Sequence, residues 1–231
     1  MDPAGWAGEG CVVARLKAEQ RRRLLVDAAF TVMARDGVAG ATTRAISAEA
    51  GMAQSAFHYA FRSKEELLRE LTAAVVDAQT GALAEVRVSA DSLRSALTAA
   101  MQRLLAAGVA EPDRQAVLYE LMLLDLRAPQ DPGALGRWQY RLYSERVAQF
   151  LDQMTERFQV RWRVPGPALA RMIATAIDGT MLAWLADHDT DLAAESLHAL
   201  TEAVLRLAYD PDDTAPPAPG PGGPPAAASG H

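Results

Sequence analysis

The sequence predicts an all-α protein: a three-helix helix-turn-helix head followed by a larger helical body. Three observations carry the prediction. Apolar residues recur at i, i+3, i+4 and i+7 through most of the chain, the stripe of an amphipathic helix. No stretch shows the alternation of a half-buried strand. The breaks between stripes hold helix-ending and helix-starting residues, among them Gly37, Gly51, Ser63, Asp131-Pro132 and Pro165-Gly166-Pro167.

Residues 1–14, rich in Gly and Ala, have no helical period and are expected to form a disordered arm. The head is expected over 15–62. Its first helix runs from about Arg15 to Asp36, with Leu25, Ala28, Ala29, Val32 and Met33 as its stripe and Gly37 as a left-handed cap. The run Ala41–Leu67 then reads as two short helices and the start of a third. Thr42 or Thr43 can cap the first, because a hydroxyl accepts from a free amide of the opening turn. Ile46 and Ala50 give it an inner face, and Ser47 and Ala48 are small enough for a close crossing. Gly51 stands at the reversal, where positive φ is wanted. Met52 plugs the corner, and Phe57 and Phe61 stripe the second helix. That spacing fits a helix-turn-helix, whose second helix enters the DNA major groove. Ser63 and Glu66 then form an S-x-x-E capping box.

The body is expected over 63–209. Its first helix, 63–88, outruns a three-helix head and so must connect head to body. Further helices are predicted over about Ser92–Val109, Asp113–Arg127, Pro132–Gln159, Pro167–Asp187 and Asp191–Tyr209. Residues 210–231, dominated by Pro, Gly, Ala and Asp, are expected to be a disordered tail.

The Ala41–Leu67 segment resembles the TetR family of bacterial transcriptional regulators. The family pattern is a hydroxyl pair, an Ile-containing helix, an Ala-Gly turn, an aromatic-rich recognition helix, then Phe-x-Ser-Lys-Glu. Here it reads Thr42-Thr43, Ile46, Ala50-Gly51, Phe57-His58-Tyr59, Phe61 and Ser63-Lys64-Glu65. The motif-bearing likeness spans about residues 20 to 70; beyond it the likeness is one of architecture. Three positions depart from the pattern. Ala53 stands where a Ser or Thr often caps the recognition helix, Ala56 where Thr is common, and His58 where Tyr is usual. Two phosphate-binding hydroxyls are thereby absent.

Composition fits this picture. At 231 residues the chain suffices for one or two domains with a sizeable core. Its net charge of −6 is divided: Arg15 to Glu70 carries ten basic and seven acidic residues, or +3, leaving −9 elsewhere. A basic reading head on an acidic body suits a DNA binder. Arg21-Arg22-Arg23 reads equally as a phosphate contact or a solvated face. The single cysteine, Cys11, forms no internal disulfide, as in cytoplasmic proteins. The N-terminus lacks the pattern of a signal peptide. The longest apolar stretch, Leu169 to Leu185, is interrupted by Arg171, Thr175 and Asp178, so no membrane partner is expected and the location expected is cytoplasmic.

No catalytic constellation, metal site or cofactor is expected. His58, His188, His198 and His231 make no i, i+4 pair, and there is no G-x-S-x-G, Gly-rich phosphate loop or Cys-x-x-Cys. Asp187-His188-Asp189 reads as a capping cluster at a helix end. The residues best placed to reach bases or phosphates are Gln54, Ser55, His58 and Tyr59 of the recognition helix, with Thr42, Thr43, Arg44 and Lys64 at neighbouring helix starts. Tyr59 has packing beneath the head as its other reading.

The family resemblance implies a ligand cavity in the body. Tyr119, Met122, Trp138, Tyr143, Phe150 and Asp178 are its candidate lining, and Asp125 and Arg141 are further charged residues within apolar helices. The last two helices are the most apolar, and a helix with so broad an apolar band is usually sandwiched. Met172, Ile173, Ile177, Met181, Trp184, Leu197, Leu200 and Val204 are therefore expected at a four-helix interface with a second copy. The sequence thus reads as a ligand-responsive regulator, a repressor that binds double-stranded palindromic operator DNA as a homodimer and is released by a small apolar or amphipathic effector. The alternative is a DNA-binding architectural protein without ligand response.

Overall fold

The computed structural model of the chain describes residues 17–81, 83, 86 and 90–210. The expected arm with Cys11, the tail over 211–231 with His231, and most of the connecting helix beyond Gly81 lie outside the described residues.

Four helices build the head and its connector: α1 (Ala18–Gly40), α2 (Thr43–Glu49), α3 (Gln54–Ala60) and α4 (Lys64–Gly81). Leu25, Ala29 and Val32 of α1 are fully buried. Helical geometry breaks at Gly37, with φ 74° and ψ 167°. This is not the left-handed cap expected but an extended mirror conformation that is essentially open to glycine alone. Thr42 caps α2, its hydroxyl accepting from the Ala45 N–H at 3.1 Å. Ile46 and Ser47 are buried while Ala48 is exposed, so the close crossing rests on Ser47. Gly51 turns the chain at φ 66°, and the Met52 N–H closes the corner on the Ser47 carbonyl at 2.8 Å.

The α4 cap differs from the reciprocal box in one detail. Ser63 Oγ accepts from the Glu66 N–H at 3.2 Å, but the Glu66 carboxylate accepts from the N–H of Arg62 at 2.8 Å, one residue upstream of Ser63. Beyond Gly81 the described Leu83 and Val86 are helical and buried in the body.

The body comprises α5 (Leu93–Ala110), α6 (Pro112–Asp125), α7 (Ala134–Phe158), α8 (Gly166–Asp187) and α9 (Thr190–Leu207). Ser92 and Ser95 cap α5 reciprocally, and Pro112 opens α6. α7 begins two residues later than predicted. Gly133 takes the capping position at φ 77°, and the Asp131 carboxylate pairs with Arg137 instead of capping. The Asp187-His188-Asp189 cluster is a helix end and a helix start: His188 turns at φ 55°, and Asp189 Oδ1 accepts from the Leu192 N–H at 2.9 Å. A two-residue antiparallel ladder, β1 (Arg161–Trp162) with β2 (Ala208–Tyr209), ties α9 back to the α7–α8 connection. Two-residue strands are too short to display alternation, which is why the sequence did not reveal them.

Two cores result. The body core gathers α5, α7, α8 and α9 around Leu97, Met154, Leu169 and Val204. The head core extends well beyond three helices: along α4 to Val75, and onto Val117, Leu118 and Leu121 of α6 and Leu135 of α7. α6 is therefore part of the floor of the head. By length and mean hydropathy of 1.2, α8 could cross a membrane. Here its apolar side is sunk in the body core through Leu169, Ile173, Met181 and Trp184, the burial of a bundle helix.

Candidate nucleic-acid interface and effector cavity

In α3, Gln54, Ser55, His58 and Tyr59 fall at i, i+1, i+4 and i+5 and are all exposed, while Phe57 anchors the opposite side at 1 % exposure. Tyr59 is 85 % exposed, so it does not pack beneath the head. The Gln54 side-chain amide donates to Thr43 Oγ1 at 3.4 Å, joining the start of α3 to that of α2. Thr42 and Arg44 are exposed, and Thr43 and Lys64 are half-buried. Ala53 makes no side-chain cap to α3. Arg62 is also exposed, in the short link between α3 and α4. It was not among the residues expected at this surface.

Arg22 braces this surface from behind. Its guanidinium donates to Glu66 at 3.0 Å, to Glu70 and to the Ala60 carbonyl, and stacks 4.3 Å from the Phe61 ring centroid. Those bonds raise its pKa, the Glu70 hydrogen bond most. Arg23 pairs with Glu19. Of the basic triplet, Arg22 is committed to the inside of the head: it binds α4 and the end of α3 to α1.

In the body, a cavity of about 40 Å³ lies among α4, α5, α6, α7 and α8. Tyr119, Tyr143 and Asp178 of the expected lining border it. Gln79, Gln115 and Met181 border it too. Gln115 was legible in principle, as a polar residue one turn before Tyr119 on the buried stripe of α6. The other three expected residues lie elsewhere. Trp138 packs on the head core, Phe150 belongs to the body core, and Met122 is set against Gly136. Asp125 Oδ2 accepts from the Gly136 N–H at 3.0 Å, linking α6 to α7. Arg141 is exposed.

Hydroxyls converge on Asp178. Tyr119 donates to its Oδ1 at 2.8 Å and its backbone carbonyl at 2.9 Å, and Tyr140 donates to Oδ2. Tyr143 donates to Gln79 Oε1 at 2.7 Å. Burial, then the Asp178 charge, pushes the Tyr119 and Tyr143 phenols up, and Tyr140 is pushed up to about 12 for the same leading reason. All three act as neutral donors at physiological pH.

The expected interface residues divide by burial. Ile173, Met181, Trp184, Leu197 and Val204 are buried within this chain, and Ile177 and Leu200 are partly so. Met172 remains 40 % exposed. Leu182 and Leu192, which the sequence did not single out, are 54 % and 53 % exposed.

Comparison with known proteins agrees with this architecture. The family model for bacterial regulatory proteins of the tetR family matches residues 25–71, the span from mid-α1 into α4. The chain is 27 % identical over 191 residues to the HTH-type nicotine-responsive transcriptional repressor HdnoR of Paenarthrobacter nicotinovorans, covering 83 % of this chain and 97 % of that one. Its fold resembles a transcriptional regulator from Rhodococcus sp. Rha1 (TM-score 0.63, 21 % identity, 84 % of this chain and 99 % of the other). It also resembles SmeT, the repressor of the Stenotrophomonas maltophilia multidrug efflux pump SmeDEF (TM-score 0.58, 22 % identity, 86 % and 97 % coverage).

Proposed function

The chain belongs to the TetR family of bacterial DNA-binding regulators, and on that premise we propose that it is a homodimeric repressor released from a palindromic operator by a small apolar or amphipathic effector. Gln54, Ser55, His58 and Tyr59 read the major groove, with Thr42, Thr43, Arg44 and Lys64 on flanking phosphates. Two-fold symmetry sets the half-sites about one helical turn apart, ~34–36 Å. The dimer face is the outer side of α8 and α9 around Met172, Leu182 and Leu192; exposed apolar side chains on adjacent helices support it.

One observation carries the effector response: α6 lines the cavity with Gln115 and Tyr119 and grips the head with Arg114 and Glu120. A ligand that reseats Tyr119 therefore moves the helix on which the head rests. Release follows from linkage, since a ligand preferring the displaced head weakens DNA binding as much as DNA weakens the ligand. Turning a mostly bound population into a mostly free one takes ~5.5 kcal/mol of differential affinity. The nicotine response in the name of the Paenarthrobacter relative makes nicotine the first effector to try.

The test is selection of bound fragments from genomic DNA, followed by titration of the selected site against random sequence and then against effector. Strong preference for a palindrome, lost on effector addition, is the expected outcome. Uniform affinity for all sequences with no effector response would make the protein architectural instead.

A further inference from the structure

We propose that the cavity takes an organic cation, a compact protonated or quaternary amine, with Asp178 as its counter-ion; this rests on reading the cavity as the effector site. Among the described lining residues Asp178 is the one charged group. Its carboxylate receives the Tyr119 and Tyr140 hydroxyls, which leaves part of its acceptor capacity open. No Lys, Arg or His among the described residues pairs with it. Arg171, two turns earlier on α8, places its guanidinium 4.2 Å from the Tyr140 ring centroid and makes no ion pair with Asp178. A half-buried carboxylate held by neutral donors alone has no counter-charge beside it, and removing charge from water is costly unless it is matched. An entering cation supplies the match, and an entering anion would be repelled.

A second, independent observation points the same way to a ligand. Gln115 is only 5 % exposed and borders the cavity. Its side-chain amide offers both a donor and an acceptor to a polar ligand atom at that wall. The rings of Tyr119 and Tyr143 complete a wall suited to an ammonium group, which is attracted to aromatic faces. At about 40 Å³ the cavity holds little more than water, so a ligand must open it. Met181, which packs on Gly108, is the flexible side chain best able to move.

The test uses the full-length protein, titrated calorimetrically with three size-matched probes: benzylamine, benzyl alcohol and benzoate. The expected order puts benzylamine tightest. Asp178→Asn, which removes the charge and keeps one of the two side-chain acceptors for the tyrosine hydroxyls, should weaken benzylamine about tenfold or more and leave benzyl alcohol within about threefold. Gln115→Leu should weaken benzylamine but preserve the order of charge classes. Should Asp178→Asn fail to fold, the order on the unmodified protein decides. Equal or tighter binding of benzyl alcohol or benzoate overturns the cation assignment and leaves the cavity as the effector site. So does unchanged benzylamine affinity in a folded Asp178→Asn protein. Binding of none of the three by protein that still holds its selected DNA overturns both.

Discussion

Glu120 accepts a hydrogen bond from the Val38 N–H at 3.1 Å, across 82 positions of sequence. The bond fastens α6 to the turn where Gly37 breaks α1. One and a half turns earlier on α6, Arg114 pairs with Asp27 at 3.2 Å and lies 4.5 Å from the Phe30 ring centroid. The same helix presents Gln115 and Tyr119 to the cavity. Body and head are thus joined by α6 as well as by the covalent connector α4.

Cutting that fastening should separate stability from coupling. Glu120→Ala is expected to lower stability by about 1 kcal/mol, or Tm by roughly 2–4 °C, since one partly buried hydrogen bond is lost. Operator affinity without effector should change little, while effector-driven release should need more ligand. Thermal melts and release titrations measure the two effects. An unchanged release curve would exclude Glu120 from the transmission.

Arg22 is a brace and should behave as one. Arg22→Ala removes bonds to Glu66, Glu70 and the Ala60 carbonyl. With those partners partly exposed, the expected loss is about 1–2 kcal/mol, or roughly 3–6 °C in Tm. The salt dependence of DNA binding should keep its slope, because no phosphate contact is removed. A slope reduced by about one would mean that Arg22 meets phosphate after all.

Acid should loosen the head at its α4 end. The Glu65 carboxyl is held below its ordinary 4.5 by the Ser63 hydroxyl, and Glu66 by the Arg62 N–H and then Arg22. Depressed folded values mean that the unfolded chain binds more protons. The stabilisation is therefore present above about pH 4.5 and lost as pH falls below it. Urea midpoints followed from neutral pH downward should drop in that window, and Glu66→Gln should drop less.

The head was legible because each of its signals is local. Thr42, Gly51, Phe57 and Ser63 act within four residues of themselves, so spacing alone placed them. Arg22 was not, because its partners lie 38 to 48 positions away and a charge triplet says nothing of distant carboxylates. The cavity was half legible for a related reason. Tyr119, Tyr143 and Asp178 border it, but Trp138 and Phe150 are equally aromatic and fill the two cores. Residue type cannot tell a wall from a core; only the crossing of helices does. The same holds for α8, where Ile173 and Trp184 face inward and Leu182 outward on one broad apolar band.

That division gives the proposed dimer a sharper test. Leu182→Arg with Met172→Glu alters side chains exposed in this chain and should yield a folded monomer by sedimentation. Leu197→Glu, at 2 % exposure, should instead unfold the body by burying an unpaired charge. A folded dimer from the double variant would move the interface away from this face.

Base reading and phosphate binding should separate in the head. Gln54 opens the exposed face of α3, and its amide reaches Thr43 Oγ1 at a long 3.4 Å, a bond weak enough to exchange for a base edge. Gln can bridge adenine through two hydrogen bonds, so Gln54→Ala should cost ~1–3 kcal/mol and relax preference at one symmetric pair of operator positions. Lys64 opens α4, where its charge adds to the free amides of the helix start. Lys64→Ala should weaken every sequence alike and flatten the salt dependence by about one phosphate. Both variants keep the buried face of Phe57, Phe61 and Leu67 intact, so folding should be unaffected. Titration of each against operator and random DNA at several salt concentrations distinguishes the signatures. Equal losses on all sequences from both would mean the reading residue lies elsewhere on α3, at Ser55, His58 or Tyr59. Full affinity with both changed would remove this face from the groove.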